Sequence, residues 1–230
     1  MVSHVNKISY PVTINEPCYL PIALPVDCQH SKMAFSLVEH IACNLRRPDN
    51  TLIGRVVKMS GNVRCYKEKR HVCAEIEPDH KVLEVGFGPG IGIEEACKYV
   101  KGGKGKVYGI DISQEMVATA TKRAEKEIND GKVELINGDV ADLSRFGSST
   151  FDCVFHGNCY YFWPDMDKAT HELYRVMKTD AVMISTMNYE RAKRMQGLGL
   201  LRYGYPDQGR YMKSLESCGF GGVRVEKNEK

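Results

Sequence analysis

Several features are scarce in this chain of 230 residues. No apolar run approaches the roughly 20 residues that a membrane-spanning helix needs, so no membrane span is expected. None of the nine cysteines stands in a Cys-x-x-Cys pair. A zinc or dithiol redox centre therefore lacks its usual spacing, and no metal is expected. The opening residues have no apolar segment behind a positive cluster, which leaves a secretory leader without support. With reduced cysteines as the default, the expected location is cytoplasmic. Charge of one sign is also lacking. Lys and Arg number 32 against 29 Asp and Glu, a net charge of only +3. That is too weak a field to argue for nucleic acid as a partner. No internal repeat or low-complexity tract interrupts the chain. What remains is 43% hydrophobic and 27% charged residues, ordinary for a globule of one domain with an elaborated end or a small cap.

Three regions are expected. Residues 1–31 carry Pro11, Pro17, Pro21 and Pro25 with apolar residues between them. Proline at this density opposes helix interiors and central strands. An extended arm is expected, either lying on the main body or loose. Residues 32–78 read as a helical cap. Phe35, Val38, Ile41, Ala42 and Leu45 recur at helical spacing, and Pro48 ends that helix. Two further short helices are expected, around Leu52–Met59 and after Gly61. Arg64, Lys67, Lys69, Arg70 and His71 make the last one basic. It is either a solvated face or an electrostatic lip over an anionic substrate.

Residues 79–230 alternate. β-rich runs at Lys81–Val85, Lys106–Ile110, Val133–Ile136, Phe151–Phe155, Ala181–Thr186 and Gly222–Val225 are separated by helical patterns. This alternation predicts an α/β fold: a Rossmann-like, doubly wound, mainly parallel sheet behind the N-terminal helical cap. Right-handed crossovers place all strand ends on one edge, where ligands of such sheets bind.

The first strand runs into Glu84-Val85-Gly86-Phe87-Gly88-Pro89-Gly90 and then a helix. Glycine permits the tight torsions and the close approach of backbone to a ligand. The dinucleotide spacing Gly-x-Gly-x-x-Gly fits neither register, because Ile91 or Ile93 takes the last position. No Lys or Arg lies between Glu84 and Glu95 to meet a pyrophosphate. A phosphate-free ligand with its own amine and sulfonium, S-adenosylmethionine, suits the turn better. Glu94 and Glu95 are read simply as favourable to the helix dipole. Asp111, about 20 residues past the turn, is placed to accept from ribose hydroxyls, with Ile112 beside it and Ser113 free to cap the next helix. Asp139 ends the third strand and could accept from the adenine amine, with Val140 as backbone donor and apolar cover. The candidate cofactor contacts are thus Glu84, Gly86, Phe87, Gly88, Gly90, Asp111, Ile112, Asp139, Val140 and Asn158.

From about Lys81 to Asn188 the chain resembles the class I S-adenosylmethionine-dependent methyltransferases, within the small-molecule group of methyltransferase type 11. The turn at Glu84–Gly90 and the acids Asp111 and Asp139 carry the resemblance. So do the fourth-strand pattern Phe151-Asp152-Cys153-Val154-Phe155 and the helix pattern Glu172-Leu173-Tyr174-Arg175-Val176-Met177-Lys178. Leu45-Arg46-Arg47-Pro48 is similar to bacterial members. The resemblance implies methyl transfer to a small-molecule acceptor. Two departures stand out. Thr179-Asp180-Ala181 replaces the usual Pro-Gly-Gly, and too few residues follow the sixth strand for the last antiparallel one. Either that strand is missing, or the apolar N-terminal arm fills its place.

The acceptor side is expected after strand four, among His156, Asn158, Cys159, Tyr160, Tyr161, Phe162 and Trp163. Pro164 and Asp165 open the next helix. His156, Asn158 and Tyr161 are the weak catalytic candidates. Asn158 is a better candidate for the methionine portion of the cofactor. Tyr203, Tyr205 and Tyr211 are candidates for the opposite wall. A non-catalytic binding module and a nicotinamide oxidoreductase are the competing readings, the latter disfavoured by glycine spacing.

Overall fold

The computed structural model describes residues 7–14, 32–48, 51, 75–201 and 204–227. Strand β1 (Lys7–Ile14) and helix α1 (Lys32–Arg46) come first. They are followed by β2 (Lys81–Val85), α2 (Ile91–Val100), β3 (Lys106–Asp111), α3 (Gln114–Arg123), α4 (Glu125–Asn129) and β4 (Val133–Asn137). Then come β5 (Phe151–Gly157), a 3-10 turn at Tyr160–Phe162, α5 (Met166–Val176), β6 (Met177–Met187), α6 (Tyr189–Gly197), α7 (Gln208–Cys218), β7 (Phe220–Gly221) and β8 (Val225–Lys227). The expected second and third cap helices, with their basic cluster, lie outside the described residues.

The strands form one sheet in the order β4-β3-β2-β5-β6-β1-β7, with β8 also beside β1. Every pairing is parallel. The Rossmann-like α/β sheet expected from the alternation is therefore present. Strands β2 and β5 bear near-continuous apolar residues because both faces are covered. One core cluster joins Leu83, Val85, Val154 and Met183 to Leu173 of α5 and Leu215 of α7. The other joins Val82, Val107, Phe155 and Ile184 to Ile93 of α2 and Ala120 of α3. Strand order reverses between β2 and β5, so a crevice opens there at the carboxyl ends.

The N-terminal segment supplies a strand of this sheet. Strand β1 runs parallel to β6, in the interval before β7. Of the two alternatives, a missing strand or the N-terminal arm in its place, the structure has the arm as a strand of the sheet. Its ladder with β6 slips between Tyr10 and Thr13. Pro11 sits in that interval and has no N–H to give, so a bulge there is the economical solution.

Three element readings need correction. Strand β6 begins at Met177 and passes through an irregularity opposite Phe151–Cys153. Asp180 takes φ +61° there, the left-handed region in which the family pattern has glycine. The run Gly222–Val225 is not one strand: Gly222 at φ +67° separates β7 from β8. Helices α6 and α7 were not foreseen, since the glycines around residues 197–209 masked them. Each nonetheless has a capping residue: Asn188 Oδ1 accepts from Arg191 N–H, and Asp207 Oδ1 from Arg210 N–H, both at 2.9 Å.

Candidate active site

The turn after β2 takes its shape from close approaches that only glycine allows. Gly86 N–H donates to Ile110 O at 2.8 Å, holding the turn to β3. At φ +64°, a Cβ on Gly86 would lie 2.9 Å from Cβ of Cys159. Gly90, at φ +83°, would meet Ala120 of α3 at 2.8 Å. Gly92, which sequence reasoning passed over, is equally constrained, for a Cβ there would overlap the Glu84 carboxylate. Glu84 is fully buried and lies at the amino end of α2, where the helix dipole favours a negative charge. A cation absent from the local sequence arrives from α3. Arg123 donates to Pro89 O at 2.8 Å and to Glu94 at 3.2 Å, on the outer side of the turn.

A cavity of about 270 Å³ opens beside this turn. Among the expected cofactor contacts, Gly86, Phe87 and Gly88 line it from β2, and Asp111 and Ile112 from β3. Asp139 and Val140 line it from beyond β4, and Asn158 from beyond β5. Glu84 and Gly90 do not line it; they shape the turn from behind. Phe87 sends its ring into the core beneath Gly109.

Asp111 is the best-held acid. Its Oδ2 accepts from Gly88 N–H and its Oδ1 from Ser113 N–H, each at 2.8 Å. A carboxylate oxygen can accept more than one hydrogen bond, and Asp111 lines the cavity. Ser113 caps α3, as expected, by accepting from Met116 N–H. Asp139 Oδ1 accepts from Ala141 N–H at 2.9 Å. The end of the N-terminal helix closes over this side: Ser113 Oγ donates to Pro48 O at 2.9 Å, and Leu45, Arg46 and Pro48 line the cavity.

The other half is built from side chains. Asn158, at φ +55°, accepts on Oδ1 from Asn188 N–H at 2.9 Å, tying the end of β5 to the start of α6. Tyr161, Phe162, Trp163 and Pro164 form one wall, and Arg191, Ala192 and Met195 of α6 another. The α6 wall was not read from sequence; Asn188 ahead of Tyr-Glu-Arg is the capping signal that announces it.

His156 does not reach the cavity. It is fully buried, bonded to Tyr211 Oη at 2.7 Å and close to Ser185 Oγ at 3.5 Å. Burial drives its pKa down to about 3, so the imidazole is neutral. Its place is structural, under Trp163 (rings 5.1 Å apart) and beside Tyr160, which stacks on Tyr211 at 4.3 Å. Of the three tyrosines expected opposite, Tyr211 is buried in this network and Tyr205 is exposed. Tyr203 lies outside the described residues. Asp165 caps α5 as expected, accepting from Lys168 N–H. The Glu172–Arg175 pattern joins α5 to the loop after β4. Glu172 accepts from Arg175 and from Leu143 N–H, and Arg175 donates to Phe146 O and Leu143 O.

Comparison with known proteins finds methyltransferases. Residues 82–180 match a family described as a methyltransferase domain. An uncharacterized methyltransferase of Bacillus subtilis, YdaC, is 32% identical over 111 residues, covering 48% of this chain and 58% of that protein. The chain spans less than two thirds of the curated relatives it matches first. Among solved structures, a putative methyltransferase of Haloferax volcanii, in complex with its Trm112 activator, superposes with TM-score 0.59 at 20% identity. It covers 70% of this chain and 71% of its own. Haemonchus contortus phosphoethanolamine N-methyltransferase 2, bound to S-adenosylhomocysteine, gives 0.52 at 21% identity, covering 66% and 36%. Identities this low bear on the fold alone.

Proposed function

We propose that this chain, which matches a methyltransferase domain over residues 82–180, is a class I S-adenosylmethionine-dependent methyltransferase that transfers a methyl group to a small-molecule acceptor in the cavity described above. The observation that carries the reading is the meeting of Asp111, Asp139 and the Gly86–Gly88 backbone around one space. Two carboxylates beside a glycine turn whose own segment, Glu84 to Glu95, carries no Lys or Arg suit a nucleoside without phosphates. When bound, the cofactor supplies a methyl group already activated on a sulfonium.

The chain's own residues then have positioning work. Asp111 accepts from the ribose hydroxyls with its remaining lone pairs, and Asp139 from the adenine amine, with Val140 as apolar cover. Asn158 has its Oδ1 engaged by Asn188, which leaves its amide N–H groups for the methionine portion. Arg46, on the segment closing over Ser113, is the cation suited to the methionine carboxylate. Tyr161, Phe162 and Trp163 exclude water from the acceptor side. Tyr161 alone of the catalytic candidates brings a titratable hydroxyl-bearing ring to the cavity wall. His156 takes no part as a base, because it is sealed from the cavity.

Calorimetric titration with S-adenosylhomocysteine and with NAD tests the cofactor, and turnover of labelled methyl groups over a metabolite panel tests the activity. Binding of S-adenosylhomocysteine with turnover is expected. Binding without turnover on any acceptor would favour a non-catalytic module; NAD binding in its place would favour an oxidoreductase.

A further inference from the structure

Two acids and two arginines, Arg46 and Arg191, line the cavity. The acids lining it, Asp111 and Asp139, follow β3 and β4. Arg191 lines the same cavity from α6, after β6. In the sheet order, β6 stands three strands from β3, roughly 14 Å at the usual strand spacing. Arg191 thus enters the cavity from the helix after β6, on the side of the sheet away from β3 and β4. Its backbone N–H is taken by the Asn188 cap. The residue is half-buried and forms no ion pair with another described residue. The surroundings on that wall are apolar: Tyr161, Phe162, Trp163, Ala192 and Met195. A guanidinium held among aromatic and aliphatic groups presents a planar fork of donors that matches carboxylate and phosphate oxygens two at a time.

We infer that the methyl acceptor is an apolar or aromatic molecule bearing an oxyanion, carboxylate or phosphate, which Arg191 holds while the aromatic wall covers its apolar part. The inference rests on the proposed methyltransferase reading and names the substrate class of that site. The Asn158–Asn188 hydrogen bond fixes the start of α6 to the end of β5. The anion clamp is thereby set at a constant distance from the cofactor side, which is how remote binding energy orients a reacting atom.

The test uses the full chain saturated with S-adenosylhomocysteine and titrated with benzoate, phenyl phosphate and neutral benzyl alcohol. At least one anion should bind tenfold or more tightly than the alcohol, and comparison of the two anions identifies the carboxylate or phosphate source. Arg191→Gln should erase that preference while leaving S-adenosylhomocysteine affinity within about twofold. Arg191→Lys should retain part of it, which a merely structural arginine would not. Equal binding of the alcohol, or a preference that survives in Arg191→Gln, overturns the inference alone. A tenfold loss of S-adenosylhomocysteine affinity in Arg191→Gln also overturns it, by assigning the guanidinium to the cofactor. Failure of the unaltered chain to bind S-adenosylhomocysteine overturns the methyltransferase reading itself, and this inference with it.

Discussion

The two halves of the cavity are held by different means. On the β2–β3–β4 side, backbone groups do most of the holding. Asp111 is locked by the N–H groups of Gly88 and Ser113, and Gly86 is pinned to Ile110 O. On the β5–β6 side, the walls are aromatic and aliphatic side chains carried by a 3-10 turn and by α6, over the buried His156–Tyr211 pair. Backbone-made sites change little with side-chain substitution, whereas side-chain walls can be remodelled residue by residue. A constant nucleoside opposite a variable acceptor is what such a division suits.

Breaking the backbone-held half should give the largest effect. Asp111→Ala should lose about 1.5–3 kcal/mol of S-adenosylhomocysteine binding, roughly tenfold to a hundredfold in calorimetry. Asp111→Asn, which keeps one acceptor oxygen, should fall between. Gly92→Ala pushes a methyl into the Glu84 carboxylate. It should cost about 1–3 kcal/mol of stability by urea unfolding, as overpacking does. On the side-chain half, Tyr211→Phe removes the partner of His156 Nε2. About 1 kcal/mol of stability should go, with S-adenosylhomocysteine affinity unchanged. A large loss of cofactor binding in Tyr211→Phe would dissolve the contrast between the halves.

A pH dependence follows from the same buried pair. The unfolded chain protonates His156 as pH falls below about 6.5, while the folded chain refuses that proton down to about 3. Stability from the buried neutral ring is therefore present above about 6.5 and declines below it. His156→Asn should show a shallower decline between pH 6.5 and 5, a window above the range where carboxylates such as Glu172 titrate. Arg175, bonded to Glu172, holds that carboxyl below its ordinary value.

The backbone-held half was also the legible one. Glycines in a turn and acids at successive strand ends are local patterns, and their order along the chain already states their neighbourhood in a parallel sheet. The helix motif at Glu172–Lys178 was legible as a pattern, but its task of bonding Leu143 and Phe146 was not. Long-range pairing hid the rest. Nothing near Lys7–Ile14 says that it enters the sheet next to β6, since Pro11 argues against a strand and is accommodated only by a bulge. His156 looked available because it follows a strand toward the ligand edge. Its burial depends on Tyr211, 55 residues later, on a helix that glycine-rich flanks concealed. Arg191 went unseen for the same reason.

A crystal of the full chain with S-adenosylhomocysteine tests the central claim most directly. The account predicts both ribose hydroxyls within hydrogen-bonding distance of the Asp111 carboxylate, the adenine amine at Asp139, and the sulfur opening toward Tyr161 and Arg191. A nucleoside bound elsewhere, or bound here with its ribose hydroxyls out of reach of Asp111, would contradict it.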